Sequence, residues 1–356
     1  MSVPASITKT RAKVLRQAAA AAVIPLVLLG VLGMTGSLSG VGTALSGADV
    51  SVFAVVVGAA LCVLVLRGLT LRVLLEILGH RPSVGRILPV YVATVAVSTL
   101  LPGGQATGAP INGYLVSRPT GVEYEDGIAA VVGISALSNL VVGLSGVFGA
   151  AYLLATTNPG NGITTLAVLA VALFCLAALV AVALLRARDR LASMAVSLIT
   201  RLGRKAAFLP GVPEPERDAV ARHVERFRDA LDRFRDATTG QVVALVGLLG
   251  AAHFLTVVAL WLSLAAVGTS VPIGVVIAVI PAGVVAAAVP TPGGFGGIEV
   301  ALVGLLTAGT SAAASTATAA TVIYQIAMVG PALLAGGSVL TMMLLMGLLQ
   351  GIPESQ

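Results

Sequence analysis

The chain has 356 residues, of which 57% are hydrophobic and only 10% are charged, with a mean hydropathy of +1.03. That balance excludes a soluble domain, and apolar runs without alternation exclude a transmembrane β-barrel; a polytopic helical membrane protein remains. The net charge of +6 flanks the apolar runs and contains no aromatic-interleaved basic patch, so it speaks for membrane topology and against nucleic acid.

In chain order, Lys9, Arg11, Lys13 and Arg16 precede a first apolar run at about 18–34. This run resembles a signal-peptide core, but no convincing small-x-small cleavage site follows it. It is therefore expected to be a retained first helix, with a cleaved signal as the alternative. Further apolar runs lie at about 50–66, 87–101, 127–154, 163–185, 241–267, 274–289 and 318–348, with a short piece at 298–309. Cys62 and Cys175 fall inside two of them and are expected to be small core residues, not a disulfide or metal pair.

The 21 Lys and Arg residues occupy four places: the N-terminal tail, Arg67 to Arg86 after the second run, Arg118 alone, and twelve between Arg186 and Arg235. The positive-inside rule then puts the tail, the 67–86 loop and the 186–240 segment in the cytoplasm. Parity requires that 87–101 enters, breaks at Pro102-Gly103-Gly104 and returns. Its 15 apolar residues are short for a full crossing.

Within 186–240, Val220, Val224, Phe227, Leu231 and Phe234 mark one helical face, and Asp218/Arg222 and Asp229/Arg233 form i,i+4 pairs on the other. This predicts an amphipathic helix, either at the membrane interface or covering the bundle, with a solvated linker as the alternative. From 237 to 353 there is no Lys or Arg and a single carboxylate, Glu299. It follows Pro290-Thr291-Pro292-Gly293-Gly294-Phe295-Gly296-Gly297-Ile298. An ionisable group at bilayer depth faces protein or a wet cavity, and broken backbone at that depth needs the same shelter. Glu299 is the first candidate site residue on both grounds.

Pro102-Gly103-Gly104 and Pro292-Gly293-Gly294 lie 190 residues apart. At that offset 50–66 maps onto 240–256, 87–101 onto 277–291 and 127–154 onto 317–344, each landing on an apolar run. By the charge rule the two copies cross in opposite directions, which predicts an inverted repeat with a central site at its broken segments; a chance coincidence of glycine-rich turns is the alternative. The expected fold is thus an all-α polytopic membrane protein of about six full transmembrane helices plus two Gly/Pro-broken re-entrant elements. The expected organisation is a basic cytoplasmic tail at 1–17, a membrane domain at 18–350 with repeats at about 50–154 and 241–348, and a tail at 351–356.

Helices restarting after each break present free N–H groups and a positive dipole end, which hold an anion without side-chain charge. Gly103, Gly104, Gly293, Gly294, Gly296 and Gly297 are the candidate cradle; close helix packing through small residues is the alternative. Asn112, Tyr114, Asn139, Tyr324 and Gln325 are candidate neutral partners of Glu299. His253, also inside an apolar run, is more simply a core residue than a proton relay. Neither a zinc-binding cluster, a nucleophile elbow nor a phosphate-binding loop is present in the sequence, so no catalytic residue, metal or cofactor is expected.

Leu101-Pro102-Gly103-Gly104 with Gly113-Tyr114-Leu115-Val116-Ser117-Arg118-Pro119-Thr120-Gly121-Val122 resembles the first block of the lysylphosphatidylglycerol synthase transmembrane (flippase-like) family. Pro292-Gly293-Gly294-Phe295-Gly296-Gly297-Ile298-Glu299-Val300-Ala301-Leu302 resembles its second block more strongly. The resemblance covers roughly 10–350 and implies a bacterial inner-membrane translocase of a lipid or lipid-linked sugar. It carries departures: Ala109 stands where the family commonly has Glu, Asn112 where it has Arg, Ser135 and Asn139 where it often has Arg and Asp, and Gln325 where Arg is frequent. No aminoacyltransferase domain accompanies it, so lipid synthesis is not expected.

The leading expectation is a flippase for a lipid with an anionic headgroup, with membrane lipids as partners and the N-terminus in the cytoplasm. The alternatives are a non-transporting scaffold or regulatory subunit of an envelope-lipid enzyme and, further off, an intramembrane hydrolase, for which a lone carboxylate lacks a catalytic partner.

Overall fold

The computed structural model describes residues 49–101, 104–156, 217–286, 297–310 and 312–346, with positions 47, 171–172, 174–176, 179 and 186. The expected run at 18–34, most of 163–185, and Pro102, Gly103 and 287–296 lie outside the described residues. Among the described residues all regular structure is helical: α1 Val50–Ile77, α2 Val84–Leu100, α3 Gly104–Thr120, α4 Tyr124–Thr156, α5 Arg217–Arg233, α6 Thr239–Ala266, α7 Ile273–Ala286, α8 Gly297–Gly309 and α9 Ala314–Leu345. A 3-10 turn, Phe234–Asp236, ends α5. Four of these helices, α1, α4, α6 and α9, are long and apolar enough to cross a bilayer. The chain is a multi-pass membrane protein.

An order of long, short, short, long helices occurs twice, α1 to α4 and α6 to α9, and each start in the second copy lies within a few residues of the first displaced by 190. Local chemistry recurs as well. The carboxylate of Asp49 caps α1 by accepting from the Ser51 N–H at 2.8 Å, and the Ser51 hydroxyl, foremost, holds that carboxyl below its usual range. Thr238 and Gln241 form a reciprocal capping box at the start of α6. Both helices end on a glycine at positive φ, Gly79 and Gly268. At each, the next N–H reaches back five residues, His80 to Leu75 and Thr269 to Leu264, satisfying carbonyls that a helix end would otherwise orphan.

Packing follows the same exchange. α1 lies along α6, α2 against α9, and α4 against α7, while α3 and α8 pack on α4 and α9. The amide of Asp49 donates to the carbonyl of Ala266, and Val56 shares a buried cluster with Ala259, so α1 and α6 run antiparallel. Small residues set the close approaches. A Cβ at Gly127 would lie 2.7 Å from the Gly113 carbonyl oxygen, and one at Gly336 would lie 2.5 Å from that of Val92.

α5 covers the bundle instead of standing apart as a linker. Phe227, Phe234 and Ala230 sit in the apolar cluster of Leu74, Leu78, Val131 and Ile134. Its polar side reaches two buried acids at the start of α4, Glu125 (5% exposed) and Asp126 (2%). Asp126 binds His80 at 2.7 Å and also Arg233, whose guanidinium donates to the Leu78 carbonyl at 2.9 Å. Glu125 binds His223 and, at 3.6 Å, Arg226.

Two expectations are corrected. The second run does not end at 66 in a charged loop: α1 continues to Ile77, carrying Arg67 and Arg72 inside the helix. The physical reason is the buried stripe Leu64, Leu71, Leu74, Leu75 and Leu78, whose helical spacing runs straight through the charges. Cys62 and Cys175 are exposed, not core. On a helix that is apolar all round, sequence period does not distinguish the lipid side from the protein side.

Candidate functional site

The candidate residues divide between two places. The second-half place is built on the α8–α9 pair. Glu299 lies in the first turn of α8, where its negative charge complements the dipole. Across from it, Gln325 on α9, only 8% exposed, donates from Nε2 to Glu299 Oε1 at 3.0 Å. Of the neutral partners expected for this carboxylate, Gln325 is the one whose hydrogen bond is seen. Tyr324, the neighbouring residue, packs instead into the clusters between α1, α6, α8 and α9.

The first-half place is a partly open cavity of about 30 Å3 between α1, α2, α3 and α4, with room for about two waters. Asn112 projects into it from α3, 2% exposed, and its Nδ2 donates to Ser98 Oγ of α2 at 2.7 Å while its Oδ1 has no partner. Ser135 and Ser138 of α4 and Tyr91 of α2 line the remaining polar wall. Arg67 enters from α1. Its Nε is buried without a partner, and its charge acts on Tyr91 and, in the second half, on His253 and Tyr324. The cation therefore stands where the two halves meet.

Arg67 is the functional candidate that sequence reasoning missed, because it closes an apolar run and looks like the first residue of a loop. The signal was the leucine spacing on either side of it, Leu64 and Leu71, which places position 67 on a buried helix face. A long side chain on such a face must reach polar company, and the cavity supplies it.

The remaining predicted residues are placed as follows. Tyr114 sits on α3 with a buried hydroxyl lacking a hydrogen-bond partner and its ring under Arg118, 5.3 Å from the guanidinium carbon. Asn139 is exposed on α4 and lines neither place. Gly104 and Gly297 open α3 and α8, the two short helices that follow the breaks. Gly103, Gly293, Gly294 and Gly296 lie outside the described residues. His253 is 8% exposed on α6 with neither ring nitrogen hydrogen-bonded.

Chemically, the arrangement offers one cation, one hydrogen-bonded carboxylate, and an amide and hydroxyls between short helices in a membrane protein. Such a set can bind a charged group. The family model described as lysylphosphatidylglycerol synthase TM region matches residues 17–336, nearly the whole chain. No curated protein matches it. The chain belongs to that family.

Proposed function

We propose that this chain, as a member of that family, is a translocase that carries a lipid or lipid-linked sugar with an anionic headgroup across the bacterial inner membrane. The observation that carries this reading is the polar, cation-bearing cavity that the short α2 and α3 form with the long α1 and α4. Helices of 17, 14 and 13 residues span about 26, 21 and 20 Å, less than the ~30 Å apolar core of a bilayer. Paired short segments interrupted by Gly and Pro are the usual place for a transporter's binding site. In this reading α2–α3 and α7–α8 are re-entrant hairpins, and the antiparallel α1 and α6 are the first helices of two inverted repeats.

Room for two waters does not hold a headgroup, so transport requires the halves to part and expose the cavity to one leaflet at a time. The N-terminal tail and α5 lie on the cytoplasmic side, as their Arg and Lys content dictates. Glu299 carries the second polar contact for the headgroup, and the α3 and α8 N-termini supply dipole.

The test is a leaflet-resolved assay in proteoliposomes with fluorescent phospholipids and polyprenyl-phosphate analogues, comparing the wild-type protein with Glu299→Gln. Movement by the wild-type protein, lost in the variant, is expected. If no analogue moves, the non-transporting scaffold reading takes its place.

A further inference from the structure

Arg67 is a guanidinium inside an apolar helix, about 15 Å along the axis from its C-terminal end. Among the described residues no carboxylate forms an ion pair with it. Charge left unbalanced at such depth is costly, and it persists where a ligand supplies the counter-charge. Asn112 provides a second, independent sign of a ligand: it is 2% exposed, aimed into the same cavity, and one end of its amide is unpartnered. The Ser98 hydroxyl can either accept from or donate to that amide, so the free end can be an N–H turned to the cavity. The Tyr91 hydroxyl interacts with Arg67 and completes a ring of donors around one small space.

From this geometry we infer that the Arg67 cavity, widened beyond its present room for about two waters, is a phosphate-binding site, in which the guanidinium fork takes two oxygens of a phosphodiester or phosphate and Asn112 and Tyr91 donate to the others. A planar fork matched to a tetrahedral oxyanion is the recognition for which arginine is suited and lysine is not. The site lies on the first-half helices and does not depend on the glycine cradle or on Glu299. It rests on the translocase reading only in taking the phosphate to belong to a lipid.

The experiment measures binding of radiolabelled dioctanoyl phosphatidylglycerol to the full chain in nanodiscs of phosphatidylcholine, with glycerol phosphate and inorganic phosphate as competitors. Arg67→Gln is expected to weaken binding about tenfold or more, the loss typical of a hydrogen bond to a charged group. Arg86→Gln, an exposed residue at the start of α2, is expected to leave it unchanged. Arg67→Lys keeps charge without the fork and is expected to bind several-fold more weakly; it decides the matter if Arg67→Gln does not yield monodisperse protein. Displacement of the lipid by the soluble phosphates supports the site with a water-borne source, and Arg67-dependent lipid binding that they do not displace supports a headgroup.

Wild-type affinity in either Arg67 variant, or no binding of any probe, overturns the proposal. The two readings fail separately. Arg67-dependent binding without lipid movement removes the translocase and leaves the site. Lipid movement that survives Arg67→Gln removes the site and leaves the translocase.

Discussion

The two halves of this bundle share a helix order and a set of packing partners, yet they fill their centres differently. In the first half Arg67 and Asn112 face a cavity. At the same positions 190 residues on stand Val257 and Leu302, 3% and 2% exposed, packed with Leu260, Leu264 and Leu306. Conversely, Ser135 of the first half corresponds to Gln325, which holds Glu299. At the start of α4 are Glu125 and Asp126, which dock α5, whereas α9 has Ser315 and Thr316 there. The backbone arrangement tolerates either filling. The cavity is therefore a consequence of side-chain choice, and the polar chemistry at the two places has been divided, a cation with one amide to one copy, a carboxylate with the other amide to the second.

Substitutions that exchange features between the copies test this division. The largest effect is expected at Asp126→Ala, which strands Arg233 and His80 beside a buried position; it should cost about 3–5 kcal/mol and expose α5 to protease. Its counterpart, Thr316→Ala, should alter the thermal unfolding midpoint little. Next comes Leu302→Asn, which places the first half's amide into the packed second half without a partner. A loss of about 2–4 kcal/mol by thermal unfolding in detergent is expected.

A smaller effect, about 1–3 kcal/mol, is expected for Gly336→Leu at the α2–α9 seam, and a similar one for Gly146→Leu, which meets Pro281 at the matching α4–α7 seam. Gly337→Ala, which meets nothing within 4 Å, should be neutral. If the two seams respond very differently, the packing symmetry of the halves is broken. The smallest change in stability, within about 1 kcal/mol, is expected for Asn112→Leu, which brings the second half's residue into the cavity and removes an under-bonded amide.

Much of the architecture was legible in the chain. The runs at 127–154, 241–267, 274–289 and 298–309 fall within a few residues of α4, α6, α7 and α8, because apolar length is imposed by the bilayer and is written locally. The family blocks were equally plain, whereas Gln325 was one of five neutral partners the sequence offered to Glu299. What stayed hidden depends on which side of a helix faces what. Arg67 looked like a loop residue because hydropathy stops a span at its first charge, while the helix obeys its leucine stripe. Asn139 was singled out by its place in the family pattern, yet it is exposed on α4, and pattern alone does not orient a side chain. The meeting of Arg67, Ser98 and Asn112 joins three helices and has no local signature at all.

The central claim is that the first-half cavity carries the headgroup, and the most direct measurement is the leaflet-resolved movement of an anionic phospholipid by Asn112→Leu beside the wild-type protein in matched proteoliposomes. The account predicts a variant as stable as the wild type that moves no lipid. A folded Asn112→Leu that moves lipid at the wild-type rate would contradict it.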